Sequence, residues 1–189
     1  FDAGWAAITW PPEWGGRGGP GWQQRIFNEV QSRYDVAAGV FSVGIAMAGP
    51  TIIAYGTEDQ QARFLPAMLK GDDVWCQLFS EPGAGSDLAG LRTRAELDGD
   101  EWTVNGQKVW TSGAHFSDWG LLLARTDVDV PKHRGITAFL VDMHAPGIDV
   151  RPLRQITGVA HFNEVFMTDV RVADANRLGP VGEGWRVAQ

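Results

Sequence analysis

Residues 77–87 read Gln77-Leu78-Phe79-Ser80-Glu81-Pro82-Gly83-Ala84-Gly85-Ser86-Asp87, and this segment is the most informative part of the chain. An apolar strand leads into it, and Pro82-Gly83 turns the chain sharply. Two glycines allow a backbone to approach a ligand without an intervening side chain. Successive N–H groups in such a turn, together with the Ser86 hydroxyl, suit phosphate oxygens. From these residues alone, a phosphate site and an ordinary glycine-rich turn are equally good interpretations.

A second segment combines a turn signal with an aromatic residue and two hydroxyls: Asn105-Gly106-Gln107-Lys108-Val109-Trp110-Thr111-Ser112-Gly113. Trp110 could stack on a planar ring system, and Thr111 or Ser112 could hydrogen-bond heteroatoms at the edge of that ring. The alternative is that Trp110, one of nine tryptophans, packs in the core. The residues of this segment alone favour the alternative.

The sequence before Val74 is helical in character. Helices are predicted over residues 21–34, over residues 35–55 with an interruption near Gly49-Pro50, and from a Thr57 cap to Gly71. The segment Gly16-Arg17-Gly18-Gly19-Pro20-Gly21 fits the dinucleotide pattern G-x-G-x-x-G. The prolines before it make a poor strand, so a loop is predicted there instead.

From Val74 onward, short apolar runs alternate with turn residues, which predicts strands. The runs cover residues 74–79, 93–97, 101–104, 108–111, 119–124, 136–141, 148–153 and 163–167. Asp98-Gly99-Asp100 and Asn105-Gly106 are predicted to be turns, residues 170–177 a connection, and helix returns after Gly182.

This order predicts an α+β multidomain chain. Residues 1–73 form part of an N-terminal helical domain, residues 74–180 a small antiparallel β-barrel or sandwich, and residues 181–189 the start of a truncated C-terminal helical domain. The chain opens on Phe1 and closes at Gln189 in what reads as a new helix. We therefore expect a piece of a longer protein.

The composition excludes several classes of protein. A net charge of −7 without a cluster of Lys and Arg argues against nucleic acid as a partner. No apolar run approaches the roughly 20 residues of a membrane span. The single cysteine, Cys76, indicates a reducing cytoplasm and a small core residue. The four histidines lack metal-ligand spacing, so no metal site is expected.

Over its whole length, the sequence resembles the acyl-CoA dehydrogenase family. Besides residues 77–87, the motifs that carry the resemblance follow one another in the family's order: Pro12-Glu13-Trp14-Gly15-Gly16, Tyr55-Gly56-Thr57-Glu58-Asp59-Gln60, Asn105-Gly106-Gln107-Lys108, Trp110-Thr111-Ser112, Phe162-Asn163-Glu164-Val165 and Gly182-Glu183-Gly184-Trp185. The resemblance implies an N-terminal helical domain, a central β domain and a C-terminal four-helix bundle, with FAD as the cofactor.

The same resemblance implies a set of flavin-binding residues. The residues that face the flavin ring would be Gln77, Leu78 and Phe79 through their backbone, Ser80 through its hydroxyl, and Trp110, Thr111 and Ser112 against the isoalloxazine. Gly85 and Ser86 would serve phosphates, and Ser86 would also lie near the bound acyl-CoA. Ser80 stands where many members carry Thr, so the hydroxyl is kept.

The implied reaction is α,β-dehydrogenation of an acyl-CoA thioester to a trans-2-enoyl-CoA. A base removes the α-proton, a hydride leaves the β-carbon for flavin N5, and hydrogen bonds to the thioester carbonyl stabilise the enolate. In the family the base is a carboxylate of the C-terminal bundle, so we expect it outside this chain. The glutamates after Ser86 match no base position: Glu96, Glu101, Glu164 and Glu183. The piece alone is expected to be inactive.

The family also implies partners: an electron-transferring flavoprotein as the electron acceptor, and other subunits in a homo- or heterotetramer. Two alternatives stay open. One is an acyl-CoA oxidase-like flavoenzyme, which is reoxidised by oxygen. The other is a non-catalytic subunit that binds FAD and acyl-CoA but lacks the base. The identity of the acyl chain is not encoded in these residues.

Overall fold

The computed structural model describes residues 2–189, apart from the side chain of Ala38. Contacts within the chain divide it into two compact units, Phe1–Val74 and Trp75–Gln189. The described residues of the first unit contain three α-helices: α1 (Gly21–Gln31), α2 (Gly49–Tyr55) and α3 (Glu58–Lys70). The second contains eight strands and a short final helix, α4 (Gly184–Val187).

Helix α3 begins and ends where the sequence predicts. The Gln60 N–H donates to Thr57 Oγ1 at 3.2 Å, and the Thr57 N–H donates to Gln60 Oε1 at 3.1 Å. This reciprocal capping box satisfies N–H groups that the first helical turn leaves without partners. Gly71 ends the helix in the left-handed conformation, at φ 80°.

The segment before α2 is less regular than an α-helix. A 3-10 turn (Ala38–Phe41) is followed by a π-helical turn (Gly44–Ala48), which leads directly into α2 with Pro50 in the first turn. Gly49 packs against Trp10 so closely that a Cβ there would lie 2.1 Å from the indole. The interruption predicted near Gly49-Pro50 is therefore a change of helix type that brings the backbone against Trp10.

Helix α1 is a second departure from expectation. Its apolar positions recur at helical spacing, yet no residue of the helix is buried, and Trp22 is 60% exposed. The core of this unit forms without α1, from residues of the other elements: Ala7, Ile8, Trp10, Ala48, Ile52, Phe64, Leu65, Met68 and Leu69. The glycine-rich segment before α1 is a loop, as predicted, and it follows a 3-10 turn (Pro12–Trp14) that was not predicted.

The second unit is one eight-stranded sheet. Its strands are β1 (Trp75–Leu78), β2 (Arg94–Asp98), β3 (Glu101–Ser112), β4 (Trp119–Arg125), β5 (Ile136–Asp142), β6 (Ile148–Leu153), β7 (Phe162–Ala173) and β8 (Arg177–Leu178). The order is β6-β7-β3-β2-β4-β5-β8, with β1 paired to β4. The α+β fold class is confirmed. Among the described residues the sheet does not close into a barrel, and the pairings of β4 with β1 and β2 are parallel.

Two turn and connection predictions are wrong. Asn105-Gly106 does not turn the chain; β3 runs through it with a shift in its pairing to β7. The Asn105 side chain bonds Asp169 across the sheet instead, through donation to Asp169 Oδ1 at 3.0 Å and acceptance from the Asp169 N–H at 2.9 Å. Residues 170–173, expected to be a connection, continue β7 to pair with the first half of β3. Asp98-Gly99-Asp100 does form the β2–β3 hairpin.

Strands β1 and β2 occupy successive positions along β4. β1 pairs with the first half of β4, whereas β2 meets β4 only at the Arg94–Arg125 pair. β2 pairs with the first half of β3. The chain between β1 and β2, residues 79–93, therefore leaves the sheet beside the second half of β3, where the Val109 N–H bonds the Ser80 carbonyl.

Candidate functional site

A backbone hydrogen bond joins the two segments that the sequence singled out. The Val109 N–H donates to the Ser80 carbonyl at 2.8 Å. Ser80 is the second residue after β1, and Val109 lies in the second half of β3. The structure therefore brings residues 77–87 and residues 108–112 together at one place on the sheet.

A buried ion pair lies directly behind this contact. Lys108 Nζ donates to Glu81 Oε1 at 2.8 Å and to the Phe79 carbonyl at 3.1 Å. The Lys108 side chain is fully buried, and that of Glu81 is 7% exposed. Burial lowers the pKa of Lys108 to about 8, although the nearby Glu81 carboxylate opposes this shift.

The Glu81 carboxylate also closes the loop that contains it. Its Oε2 accepts the Arg92 N–H at 2.6 Å, and its Oε1 accepts the Thr93 N–H at 2.9 Å. Burial alone would raise the pKa of Glu81, but the Lys108 ammonium and these donors outweigh it and hold the pKa below its usual value. Glu81 is therefore a structural anion with both oxygens occupied.

Trp110 is held in an unusual backbone conformation. It lies at φ 61°, at a register shift in β3 between Lys108 and Thr111. A non-glycine residue in this region is strained, and such strain is concentrated at functional sites. Trp110 is 62% exposed, and its indole meets Phe162 edge-on, with centroids 6.0 Å apart and planes at 85°. The core-packing interpretation of Trp110 is wrong.

The two hydroxyl residues after Trp110 have different surroundings. Thr111 is buried, and its Oγ1 makes no hydrogen bond within residues 2–189. The Thr111 carbonyl accepts a hydrogen bond from Asn163 Nδ2 at 2.9 Å. The Oδ1 atom of Asn163 is 3.2 Å from His115 Nδ1. Ser112 is exposed. Thr111 thus has a backbone fixed by its neighbours and a hydroxyl without a partner, which is costly to bury unless a ligand bonds it.

The glycine-rich turn has no intramolecular need for its glycines. The Glu81 and Ala84 backbones exchange two hydrogen bonds, at 2.9 and 3.0 Å, which make the turn tight. A Cβ on Gly83 or on Gly85 would meet no atom within 4 Å, and neither residue has a positive φ. Gly85 and Ser86 are exposed. Neither steric crowding nor backbone conformation requires glycine at these two positions. A bound molecule that comes close to the backbone would require it.

The other predicted site residues lie around this point. Gln77, Phe79 and Ser80 are partly buried. The Leu78 side chain is fully buried in the core, so only its backbone is available to a ligand. Asp87, which closes the glycine-rich segment, is bridged to Lys132 at 2.7 Å on the surface.

The four glutamates after Ser86 are engaged elsewhere. Glu96 pairs with Arg94, Glu101 with Arg171, and Glu183 with Arg186, whereas Glu164 accepts a hydrogen bond from Gln107. Among the described residues, no group of three or more His, Cys, Asp and Glu side chains is placed to hold a metal ion. Over the same residues, no helix has the length and apolar character needed to cross a membrane.

Sequence reasoning missed the Glu81–Lys108 pair. Both residues stand inside the quoted motifs, but nothing in either motif says that the two charges meet. A lysine beside Val109 and Trp110 in a strand is a weak signal of an inward-facing charge. The pairing depends on the position of β1 next to the second half of β3, which is a property of the folded sheet.

Comparison with known proteins yields matches along the chain. The family model "Acyl-CoA dehydrogenase, N-terminal domain" matches residues 1–72, and "Acyl-CoA dehydrogenase, middle domain" matches residues 76–170. The curated acyl-CoA dehydrogenase IpdE1 of Mycobacterium tuberculosis is 50% identical over 98% of this chain and 48% of its own length.

Two solved structures share the fold. One is the Tcur3481-Tcur3483 steroid ACAD, with a TM-score of 0.90 and 37% identity over 98% of this chain and 47% of its own. The other is the ChsE4-ChsE5 complex from Mycobacterium tuberculosis, with a TM-score of 0.89 and 41% identity over 98% of this chain and 48% of its own. The chain spans about half the length of these relatives. With both domain models matched in order and half of the residues shared with IpdE1, the chain belongs to the acyl-CoA dehydrogenase family.

Proposed function

We propose that this chain supplies the FAD-binding surface of an enzyme that oxidises acyl-CoA thioesters to trans-2-enoyl-CoA. The observation that carries the proposal is the placement of Trp110. Its indole is exposed at a strained position of β3 and is braced by Phe162, next to the strand end that holds Ser80. An exposed aromatic plane held this firmly is suited to stack on a planar ring.

The residues present fit FAD in three respects. The Trp110 indole offers a face for the isoalloxazine. Thr111 offers a buried hydroxyl without a partner in the described part of the chain, and Ser112 an exposed one, for heteroatoms at the ring edge. The space beside Gly83 and Gly85 is open, so a ligand could approach the backbone there without meeting a side chain.

The remaining roles follow from the family. Backbone groups of Gln77, Leu78 and Phe79 and the hydroxyl of Ser80 would face the ring, which suits their position at the end of β1. Gly85 and Ser86 would contact phosphate groups, and Ser86 would also contact the acyl-CoA. Both are exposed, as a contact with a diffusible substrate requires.

The chemistry that FAD supplies when bound is acceptance of a hydride from the substrate β-carbon. The residues of this chain orient the ring and exclude water from one side of it. None of the glutamates after β1 is placed as the base that removes the α-proton. Glu81 is excluded because it is a buried anion with both oxygens bonded, and the glutamates after Ser86 are engaged at other places. We propose that the base lies on a segment beyond residues 1–189.

Partners and setting complete the proposal. Both solved relatives carry the names of two components, which supports assembly with a second subunit. An electron-transferring flavoprotein would reoxidise the bound flavin, and the cytoplasm is the compartment we propose.

The test uses the full-length protein. The purified protein should carry the visible absorption of oxidised flavin, and an acyl-CoA thioester added without oxygen should bleach it. The α,β-unsaturated product is identified by mass spectrometry. Fast recovery of the colour in air would assign the oxidase alternative. Absence of flavin uptake after incubation with FAD would overturn the proposal, and flavin without bleaching by any acyl-CoA tested would assign the non-catalytic subunit.

A further inference from the structure

We propose that Lys108 is a positioning residue for the flavin site: its buried side chain, paired with Glu81, sets the orientation of the peptide between Phe79 and Ser80 and strengthens the Ser80 N–H as a hydrogen-bond donor to the bound ring. This inference rests on the proposed function, because it concerns the same site. It adds two residues, Lys108 and Glu81, that would act without touching the flavin.

Two consecutive residues of β3 hold two consecutive carbonyls. Lys108 Nζ donates to the Phe79 carbonyl at 3.1 Å, and the Val109 N–H donates to the Ser80 carbonyl at 2.8 Å. The peptide that links Phe79 to Ser80 is trans, so its N–H points away from its carbonyl. With that carbonyl bonded to Lys108, the Ser80 N–H is directed to the side away from the lysine.

The lysine also changes the electronic character of this peptide. An ammonium that bonds a carbonyl oxygen in a low-dielectric surrounding polarises the whole amide, and the effect is cooperative along hydrogen bonds. The N–H of the same amide becomes a stronger donor. The lysine is fully buried, so water does not screen it from the Phe79 carbonyl.

Glu81 makes the arrangement possible. An isolated ammonium at this depth would lose its proton or destabilise the fold, because burial disfavours its charged form. The carboxylate supplies the compensating charge, and the Arg92 and Thr93 N–H groups fix that carboxylate in turn. Glu81 thereby keeps Lys108 charged and ties it to the loop that continues into the glycine-rich turn.

Fold stability alone does not explain such a pair. Replacement of a buried ion pair by apolar residues of similar volume is often neutral or stabilising, because desolvation of two charges offsets their attraction. Lys108, however, bonds a carbonyl of the predicted flavin-binding segment. Its charge therefore lies where it would affect ligand binding. The two explanations differ in what happens when both charges are removed together.

The experiment compares the full-length wild type with Lys108→Met, Glu81→Gln and the double variant that carries both changes. Arg177→Met is the control, since it breaks the ion pair with Asp174 in the same unit at a place outside the proposed site. The measurements are the unfolding temperature of the FAD-free protein, the FAD dissociation constant and the midpoint potential of the bound flavin.

We expect the single variants to unfold at lower temperature, because each leaves a group of the pair without its partner. The double variant should recover most of that loss. It should still bind FAD at least about tenfold more weakly than the wild type, and its flavin potential should be more negative, because a weaker donor stabilises the charge gained on reduction less well. The control should keep the wild-type dissociation constant. A double variant with wild-type FAD affinity and potential would overturn the inference.

A measurement on the wild type covers the case in which the variants do not fold. Backbone hydrogen exchange is followed for Ser80 with and without FAD. Binding should slow exchange at this amide, and equal rates in the two states would also overturn the inference. The proposed function fails separately, if the wild type takes up no FAD at all.

Discussion

The Val109 N–H meets the Ser80 carbonyl at 2.8 Å, and this contact joins the end of β1 to the second half of β3. It exists because β1 and β2 share one edge of β4 while β3 is long enough to run past both. A segment that leaves the sheet after β1 therefore emerges beside Trp110. The candidate site therefore forms where the chain leaves the sheet between β1 and β2.

Replacement of Trp110 by Ala should weaken flavin binding without unfolding the protein. Trp110 is mostly exposed and meets Phe162 in an edge-on pair, so removal of the indole costs little packing. Loss of an aromatic stacking contact corresponds to about 1 kcal/mol, or a dissociation constant for FAD raised roughly five- to tenfold. Trp110→Phe, which keeps a ring, is the matched control. Equal FAD affinity in Trp110→Ala and wild type, measured by flavin fluorescence, would remove Trp110 from the site.

Substitution of the turn glycines should separate ligand binding from folding. A Cβ on Gly83 or Gly85 meets no atom of the chain within 4 Å, and neither residue needs a positive φ. Gly83→Ala and Gly85→Ala should therefore change the free energy of unfolding by no more than about 0.5 kcal/mol. If FAD or acyl-CoA approaches this backbone, the same changes should weaken ligand binding measurably.

Gly106→Ala is the contrasting variant. Its Cβ would lie 2.4 Å from Thr93 Oγ1 and 2.7 Å from Thr93 Cα, so the backbone itself must move. We expect a loss of about 1–3 kcal/mol in the free energy of unfolding, as for other overpacked sites. Chemical denaturation of the three glycine variants gives the comparison. Wild-type ligand affinity in both turn variants would argue that no ligand contacts this turn.

The sequence predicted the parts of the fold that depend on local chemistry. The Thr57 cap, the Gly71 stop and the turn at Asp98-Gly99 each follow from residues a few positions apart, and the structure contains all three. Asn105-Gly106 has equally strong turn chemistry, but the long partner strand β7 pairs on both sides of it. Pairing between distant strands determines the conformation at Asn105-Gly106, and a rule based on neighbouring residues does not include that pairing.

The site shows the same division. Its two segments were recognisable in the sequence, and the backbone contact between Ser80 and Val109 brings them together. Neither the buried position of Lys108 nor the exposed one of Trp110 was predicted from the residue pattern. Trp110 lies within the register shift between Lys108 and Thr111, and Lys108 is buried where its side chain meets Glu81. A bulge of this kind has no signature in the composition of the strand.

Cys76 should be inert toward thiol reagents in the folded protein. It is fully buried, and burial raises the pKa of its thiol to about 12. The thiolate is the reactive form, so at about pH 8 almost none is present and the reagent has no access to it. Peptide mapping after treatment with a thiol reagent should find Cys76 unmodified in buffer and modified in denaturant. Rapid reaction of the native protein at that pH would show that this part of the sheet opens readily.

A polypeptide limited to residues 1–189 should not turn over acyl-CoA, even with FAD supplied in excess. The reaction needs a base near the α-carbon, yet Glu81 is bonded at both oxygens and Glu96, Glu101 and Glu183 pair with arginines at other places. Removal of the α-proton gives the α-carbon carbanion character, which helps the hydride to leave the β-carbon. Without a base, this assistance is lost and the barrier to hydride transfer stays high. The assay uses an artificial electron acceptor and compares this polypeptide with the full-length protein at equal flavin content, so that weak cofactor binding is not mistaken for a missing base. Turnover within about tenfold of the full-length rate would place the base inside residues 1–189 and would direct the search to the carboxylates of the β sheet.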